Sequence, residues 1–177
     1  MDKKTFKKYI NCEVYGNYLK SKNRLNIFDK IWCKYFSPSS NSVYIIRKKQ
    51  YIESKGKIGK LLGKYYQVLL MRRYCIHVNS EADIGLGLRI VHPMCISISK
   101  CTIGRGFTVY QNCTVGAKSL DCLETPRVGN AVTMYSGSSV IGGIQVTDNV
   151  VLGANSLLTK DALKSGVYIG YPAKRQG

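Results

Sequence analysis

A period of six organises the second half of the chain. Aliphatic or Met side chains stand at Val128, Met134, Val140, Val146, Leu152 and Leu158 without a slip. The fourth residue after each is small or branched: Val132, Ser138, Ile144, Val150, Ser156 and Ala162. The first half repeats the pattern less strictly, at Ile84, Ile90 and Ile96, then after a one-residue slip at Ile103, Val109 and Val115. Short repeats of this kind predict a β-solenoid. Three six-residue sides make one triangular coil, each aliphatic residue points inward, and stacked coils pair as parallel strands. Between Val115 and Val128 the spacing is 13 residues, so seven of them leave the coil as a loop within 117–127.

Upstream the period becomes helical. Residues 1–20 place Phe6, Ile10, Val14 and Tyr18 at near-helical spacing, with lysines on the other faces. A second helix is predicted from a cap at Asn23 to about Ser37, with Leu25, Phe28, Ile31, Trp32, Tyr35 and Phe36 on one broad apolar face. Ser37-Pro38-Ser39-Ser40-Asn41 ends it and offers caps for a third helix reaching roughly Ser54. Gly56 and Gly59 interrupt, after which Ile58, Leu61, Leu62, Tyr65, Val68 and Leu69 build a fourth. Trp32 and the other aromatics are expected to pack between helices.

Composition changes this picture in two ways. The chain of 177 residues is long enough for a core, and its 45% hydrophobic content is ordinary. No apolar run approaches the roughly 20 residues of a membrane span, and the charged start from Met1 to Lys8 has no apolar stretch behind it of the signal-peptide kind. A cytoplasmic protein is expected. The net charge of +17 is uneven: residues 1–75 hold 18 Lys+Arg against 4 Asp+Glu, residues 76–177 hold 9 against 6. That asymmetry marks a boundary near Arg73, dividing a basic helical region over 1–76 from the coils over 77–177. It also suggests an acidic neighbour for the first part. A membrane inner surface or an anionic glycan meets that description as well as nucleic acid does; lysine-rich solvated helix faces would explain the charge with no partner. Seven cysteines form no CxxC, and with only His77 and His92 available no metal site is expected. Cys113 falls on a small-residue position of the repeat and reads as core filling.

Three stretches carry a resemblance. Ile84-Gly85 is followed eight residues on by His92-Pro93; Ile103-Gly104 leads to Gln111-Asn112-Cys113-Thr114-Val115-Gly116; and Gly153-Ala154-Asn155-Ser156, Thr159-Lys160-Asp161 and Gly170-Tyr171-Pro172-Ala173-Lys174 close the chain. Together they resemble the hexapeptide-repeat acyltransferases. The basic helices, with Arg47-Lys48-Lys49 and Arg72-Arg73, look like those of serine acetyltransferase-like enzymes from capsule and surface-polysaccharide clusters. The resemblance implies a left-handed parallel β-helix of about four coils after an α-helical segment, working as a homotrimer with acetyl-CoA as co-substrate and no metal.

On such coils the sides starting at Ile90, Val109, Met134 and Leu152 stack in one column, and His92, Gln111, Ser136 and Ala154 follow two places along each. With coils about 4.8 Å apart, three steps span roughly 14 Å, the reach of an extended pantetheine arm. The resemblance makes His92 the general base, Ser136 and Ala154 the slim bed of the arm, and Gly116 or Ala117 the oxyanion donor. Gln111 faces the acceptor, and Lys160, Lys174 and Arg175 are partners for the coenzyme phosphates. Two departures stand out. His77 occupies the place where relatives often carry an Asp or Glu that orients the catalytic His, Glu81 and Asp83 lying nearby. The Arg-His-Pro of serine acetyltransferases reads Glu124-Thr125-Pro126-Arg127 here.

The expected activity is therefore acetyl transfer from acetyl-CoA to a sugar hydroxyl, in surface or capsular polysaccharide synthesis. The basic helices would make peripheral contact with membrane or anionic glycan, and nucleic acid is not expected. Serine O-acetylation for cysteine synthesis, amino-sugar N-acetylation and a non-catalytic trimeric scaffold are the alternatives. A γ-type carbonic anhydrase needs three His ligands, which two histidines cannot supply in one chain.

Overall fold

The aliphatic period closes the chain into a three-faced parallel solenoid. In the computed structural model, which describes residues 1–16, 24–119 and 124–176, two compact units divide the chain at 1–75 and 76–177. The first face of the second unit stacks His77–Val78, Ser97–Ile98, Thr114–Gly116, Ser139–Ile141 and Leu157–Leu158. The second stacks Asp83–Ile84, Thr102–Ile103, Arg127–Val128 and Gln145–Val146. The third carries Arg89–Ile90, Thr108–Val109, Thr133–Met134, Val150–Leu152 and Gly166–Gly170, closed by an antiparallel strand Ala173–Arg175. The first face is five strands deep, one more than the repeat suggests, because the opening coil starts at His77, ahead of Ile84.

Each strand is short and alternates outward and inward residues, and the inward one is the repeat aliphatic: Ile84, Ile90, Val109, Val128, Met134 and Leu152 are all buried. So are the small or branched residues four places on, from Val132 to Ala162. Cys113 fills the core, as its position in the repeat suggests, and burial raises its thiol pKa. Cys101 is also buried, and desolvation, aided by the Asp83 charge, pushes its thiol up to about 12. At one corner Gly85, Gly104 and Gly129 lie over one another. A Cβ on Gly104 would sit 2.7 Å from the Gly129 carbonyl, so the coils can approach only where that atom is missing.

The phase of the first coils differs from the simple repeat. Ile98, not Ile96, pairs with Val115, and the next inward residue of that coil is Ile103. The spacing from Ile90 to Ile98 is eight and from Ile98 to Ile103 five, whereas regular sides take six. The single slip is thus the sum of a two-residue insertion and a one-residue deletion at successive corners. Ile96 is buried as well, at the level where later coils place Cys113, Ser138 and Ser156.

The helical unit contains α1 (Lys3–Tyr9), a π-helical turn Ile10–Val14, α2 (Ile27–Ile31), a second π-helical turn Trp32–Phe36, α3 (Pro38–Glu53) and α4 (Lys57–Tyr74). Tyr18 and the expected cap Asn23 lie outside the described residues. The cap of α2 is Asn26, in a reciprocal capping box with Asp29. Gly59 does not interrupt α4. It lies inside the helix with Gly63, and both are buried against α3, at Ile52 and Glu53.

The expected burial of aromatics between helices fails. Phe28, Trp32, Tyr35 and Phe36 are exposed, as are Ile58, Leu61, Leu62, Tyr65 and Val68 of α4. What α3 buries instead includes Arg47 and Lys49. Arg47 donates from Nε and Nη2 to the two carboxylate oxygens of Glu13, both at 2.7 Å, and its guanidinium lies 4.5 Å from the Tyr9 ring centre. A two-pronged pair with both side chains at 0% exposure needs both partners. Glu13→Ala is expected to destabilise the helical unit by about 3–5 kcal/mol, read as an earlier urea transition; an unchanged midpoint would contradict the role given to the pair.

Candidate active site

The column expected from the repeat is present. Ile90 pairs with Val109, Val109 with Met134 and Met134 with Leu152. The corner that follows this face is regular in the later coils, where Asn112, Gly137 and Asn155 each take a left-handed φ three places before the next inward residue. Gly137 N–H donates to the Gln111 carbonyl at 3.0 Å and Asn155 N–H to that of Ser136 at 2.8 Å. In the first coil the left-handed residue is Cys95, again three places before Ile98, and Asn112 N–H donates to the Met94 carbonyl. Met94 therefore takes the corner level that Gln111 holds one coil on, and His92 and Pro93 are the two inserted residues.

The insertion decides where the imidazole goes. Proline offers no N–H to the ladder, and the Met94 N–H turns back to the His92 carbonyl at 2.9 Å, closing a three-residue turn about Pro93. Pro93 is buried and His92 is exposed. Among the described residues the His92 ring is hydrogen-bonded to none and meets Tyr110 edge-on, ring centres 6.0 Å apart. Tyr110 in turn stacks on Tyr135 at 4.9 Å. This aromatic wall was missed in the sequence. The signal was there, since both tyrosines directly follow inward residues of one column and so share an outward face one coil apart. Gly153 holds the same place in the next coil and ends the wall.

Beside the wall run Ser136, half-buried, and Ala154, exposed. Gln111 keeps its Oε1 buried without a hydrogen-bond partner among the described residues, an acceptor oxygen at the coil next to His92. The ladder continues from Leu152 to Tyr168 and then antiparallel to the last strand, where Lys174 pairs with Ile169. Exposed Lys174 thus stands at the end of the column remote from His92, two strands beyond Ala154. Arg175, on the same strand, donates from Nε to the Ser165 carbonyl.

Other expected site residues lie on a different edge. Gly116 ends a first-face strand whose partner is Ser97–Ile98, so it leaves that face at the end opposite to the one His92 enters. Ala117 follows it, and Lys160 follows Leu158 at the same edge. Glu81 lies there too and pairs with Lys100 at 2.6 Å. Within one chain His92 and the expected oxyanion donor therefore occupy two edges of one face. His77 is exposed on the opening strand, in register with Ser97. Pro126 is buried and its carbonyl accepts from Thr102 N–H, which fixes the end of the loop; residues 120–123 lie outside the described ones. Among the described residues no three His, Cys, Asp or Glu side chains are grouped to hold a metal ion.

No family model matches the chain. Curated relatives do. Serine acetyltransferases of Staphylococcus aureus and Staphylococcus epidermidis are each 33% identical over 99 residues, covering 55% of this chain and 46% of theirs. The chain thus spans less than half the length of the relatives it matches. Among solved structures, serine acetyltransferase of Neisseria gonorrhoeae superposes with a TM-score of 0.82 at 18% identity, over 99% of this chain and 67% of that one. A serine acetyltransferase in complex with CoA gives 0.79 at 18% identity, over 97% and 70%. This chain shares the fold of these solved structures, a left-handed β-helix after a helical segment. The hand, which no repeat pattern specifies, comes from that agreement.

The coenzyme path that the resemblance implies along Ser136 and Ala154 has a direct test. Ala154→Trp, at an exposed position outside the core, should leave the thermal transition unchanged and weaken coenzyme A binding at least about tenfold by calorimetry, because the indole would occupy the path along the column. Unaltered affinity would mean that the arm does not lie there.

Proposed function

We propose that the chain is an acetyl-CoA-dependent O-acetyltransferase with His92 as its general base. The observation that carries this is the two-residue insertion that holds His92 outside the coil, at the head of the column Gln111, Ser136, Ala154. An imidazole there takes the proton of an acceptor hydroxyl as that oxygen attacks the acetyl carbonyl carbon. Backbone N–H at Gly116 or Ala117 is suited to the oxyanion. Collapse breaks the carbon–sulfur bond, and the thiolate recovers the proton from the imidazolium. Lys174, with Arg175, sits where phosphates at the far end of the coenzyme would need a cation.

The site is incomplete in a single chain. His92 lies on one edge of the first face and Gly116, Lys160 and Glu81 on another. A cyclic homotrimer, whose heterologous contacts set one edge of each copy against the other edge of the next, joins them. In that arrangement Glu81, paired with Lys100 in its own chain, is a carboxylate that the neighbouring copy brings to the His92 edge in place of the residue replaced by His77.

Serine is the acceptor that the named relatives favour, ahead of the sugar expected from the sequence. A sugar hydroxyl is the second reading. It is favoured by the loop, which ends Thr125-Pro126-Arg127 with Pro126 buried where serine acetyltransferases carry Arg-His-Pro.

The test is release of free thiol from acetyl-CoA with L-serine and with a panel of sugars and amino sugars. Turnover with at least one hydroxyl acceptor is expected, and His92→Ala should lower it by about 10²–10⁴-fold without changing the oligomeric mass. Wild-type turnover that survives His92→Ala, or none with any acceptor, would overturn the proposal.

A further inference from the structure

We infer that helix α4 is an interfacial anchor that docks the chain on an anionic lipid surface. Its outward face is apolar: Ile58, Leu61, Leu62, Tyr65 and Val68 recur at helical spacing and are 77%, 66%, 52%, 64% and 52% exposed. The opposite face, with Gly59, Gly63 and Leu70, is the one buried in the unit. The apolar stripe is therefore additional to the helix's packing surface. A contiguous exposed stripe of large apolar side chains marks a surface that something else covers.

Charge decides between occupants. Helix α4 carries Lys57, Lys60, Lys64, Arg72 and Arg73 and no acidic residue. Lys57, Lys60 and Lys64, three and four apart, form a row along one border of the stripe. The region around it repeats the bias, with 18 Lys+Arg against 4 Asp+Glu over 1–75. A stripe-on-stripe contact between two copies would bring two such rows together with no carboxylate in either helix to offset them, so a two-fold pairing of this face is disfavoured. An anionic bilayer offers both halves of what the face lacks: headgroup charge for the lysine row and a hydrocarbon boundary for the stripe. The same unit exposes another largely aromatic surface, a groove of about 270 Å³ lined by Phe28, Asp29, Ile31, Trp32 and Phe36; its aromatic residues are of types suited to the headgroup boundary, and Asp29 is its one acidic member. No helix among the described residues is long and apolar enough to cross a membrane, so this is contact in the plane of the interface.

The experiment is sedimentation of the full chain with vesicles of phosphatidylcholine alone and of phosphatidylcholine with about one-third phosphatidylglycerol, alongside light scattering for mass. Binding to the anionic vesicles only, weakened by salt, is expected. Leu61→Gln with Tyr65→Ser should weaken it at least about tenfold while helix content, oligomeric mass and thiol release stay as in the wild type. Lys57→Glu with Lys60→Glu and Lys64→Glu should abolish the preference for anionic lipid. Failure to sediment with anionic vesicles overturns the inference, as does binding that Leu61→Gln with Tyr65→Ser leaves intact. A fall in oligomeric mass on that double substitution would assign the stripe to a second copy instead. Acetyl transfer is read separately, so loss of lipid binding and loss of activity remain distinguishable.

Discussion

Everything in the solenoid follows from one constraint: each inward aliphatic must sit directly over its counterpart one coil away while the flanking backbone completes a parallel hydrogen-bond ladder. A side can therefore gain or lose residues only at a corner. Ile90, Val109, Met134 and Leu152 keep register through four coils, although the corner after Ile90 holds two residues more than its successors. The surplus has nowhere to go but outward. Pro93, unable to donate to a ladder, turns the excursion back, and His92 is left on the surface beside the column of small side chains. The chemistry proposed here depends on that irregularity, because the inserted turn is what holds the His92 imidazole at the head of the column.

The helical unit obeys a different balance. Its central helix α3 is enclosed by neighbours and contains Arg47 and Lys49, so burial there requires carboxylates, which Glu13 and Glu53 provide. The apolar stripe of α4 is left outside, because the glycines on its other face bring the backbone close to α3 and take the packing role. The unit keeps an apolar core of Ile10, Val14, Val43, Ile45, Ile46 and Leu70, and the further apolar stripe left outside beside a lysine row is why it reads as a surface for docking on something anionic and apolar.

Much of the coil was legible in the sequence because its period is short and its inward residues are chemically uniform. The column, the loop before Arg127 and the core role of Cys113 could all be read from spacing. The exact phase of the first coils could not. A period reports only the net shift, so an insertion of two followed by a deletion of one looked like a single slip, and Ile96 passed for the inward residue that Ile98 is. Tyr110 and Tyr135 hold the first outward place of their sides, whereas His92, Gln111, Ser136 and Ala154 are singled out by the second, so that spacing does not point to them. The helical faces were misread for another reason. Amphipathic spacing shows that a helix has an apolar face but not which of two faces meets its neighbour, and Gly59 and Gly63 signalled close packing rather than a break.

A general-base role requires His92 to lie at the head of the coenzyme path. Because His77 and His92 are the only histidines, imidazole carbon–proton correlations in the labelled protein give two signals, assigned by His77→Gln. Titration with coenzyme A should move the His92 signal and leave that of His77 unchanged. Saturable coenzyme binding that shifts neither signal, or shifts only His77, would contradict it.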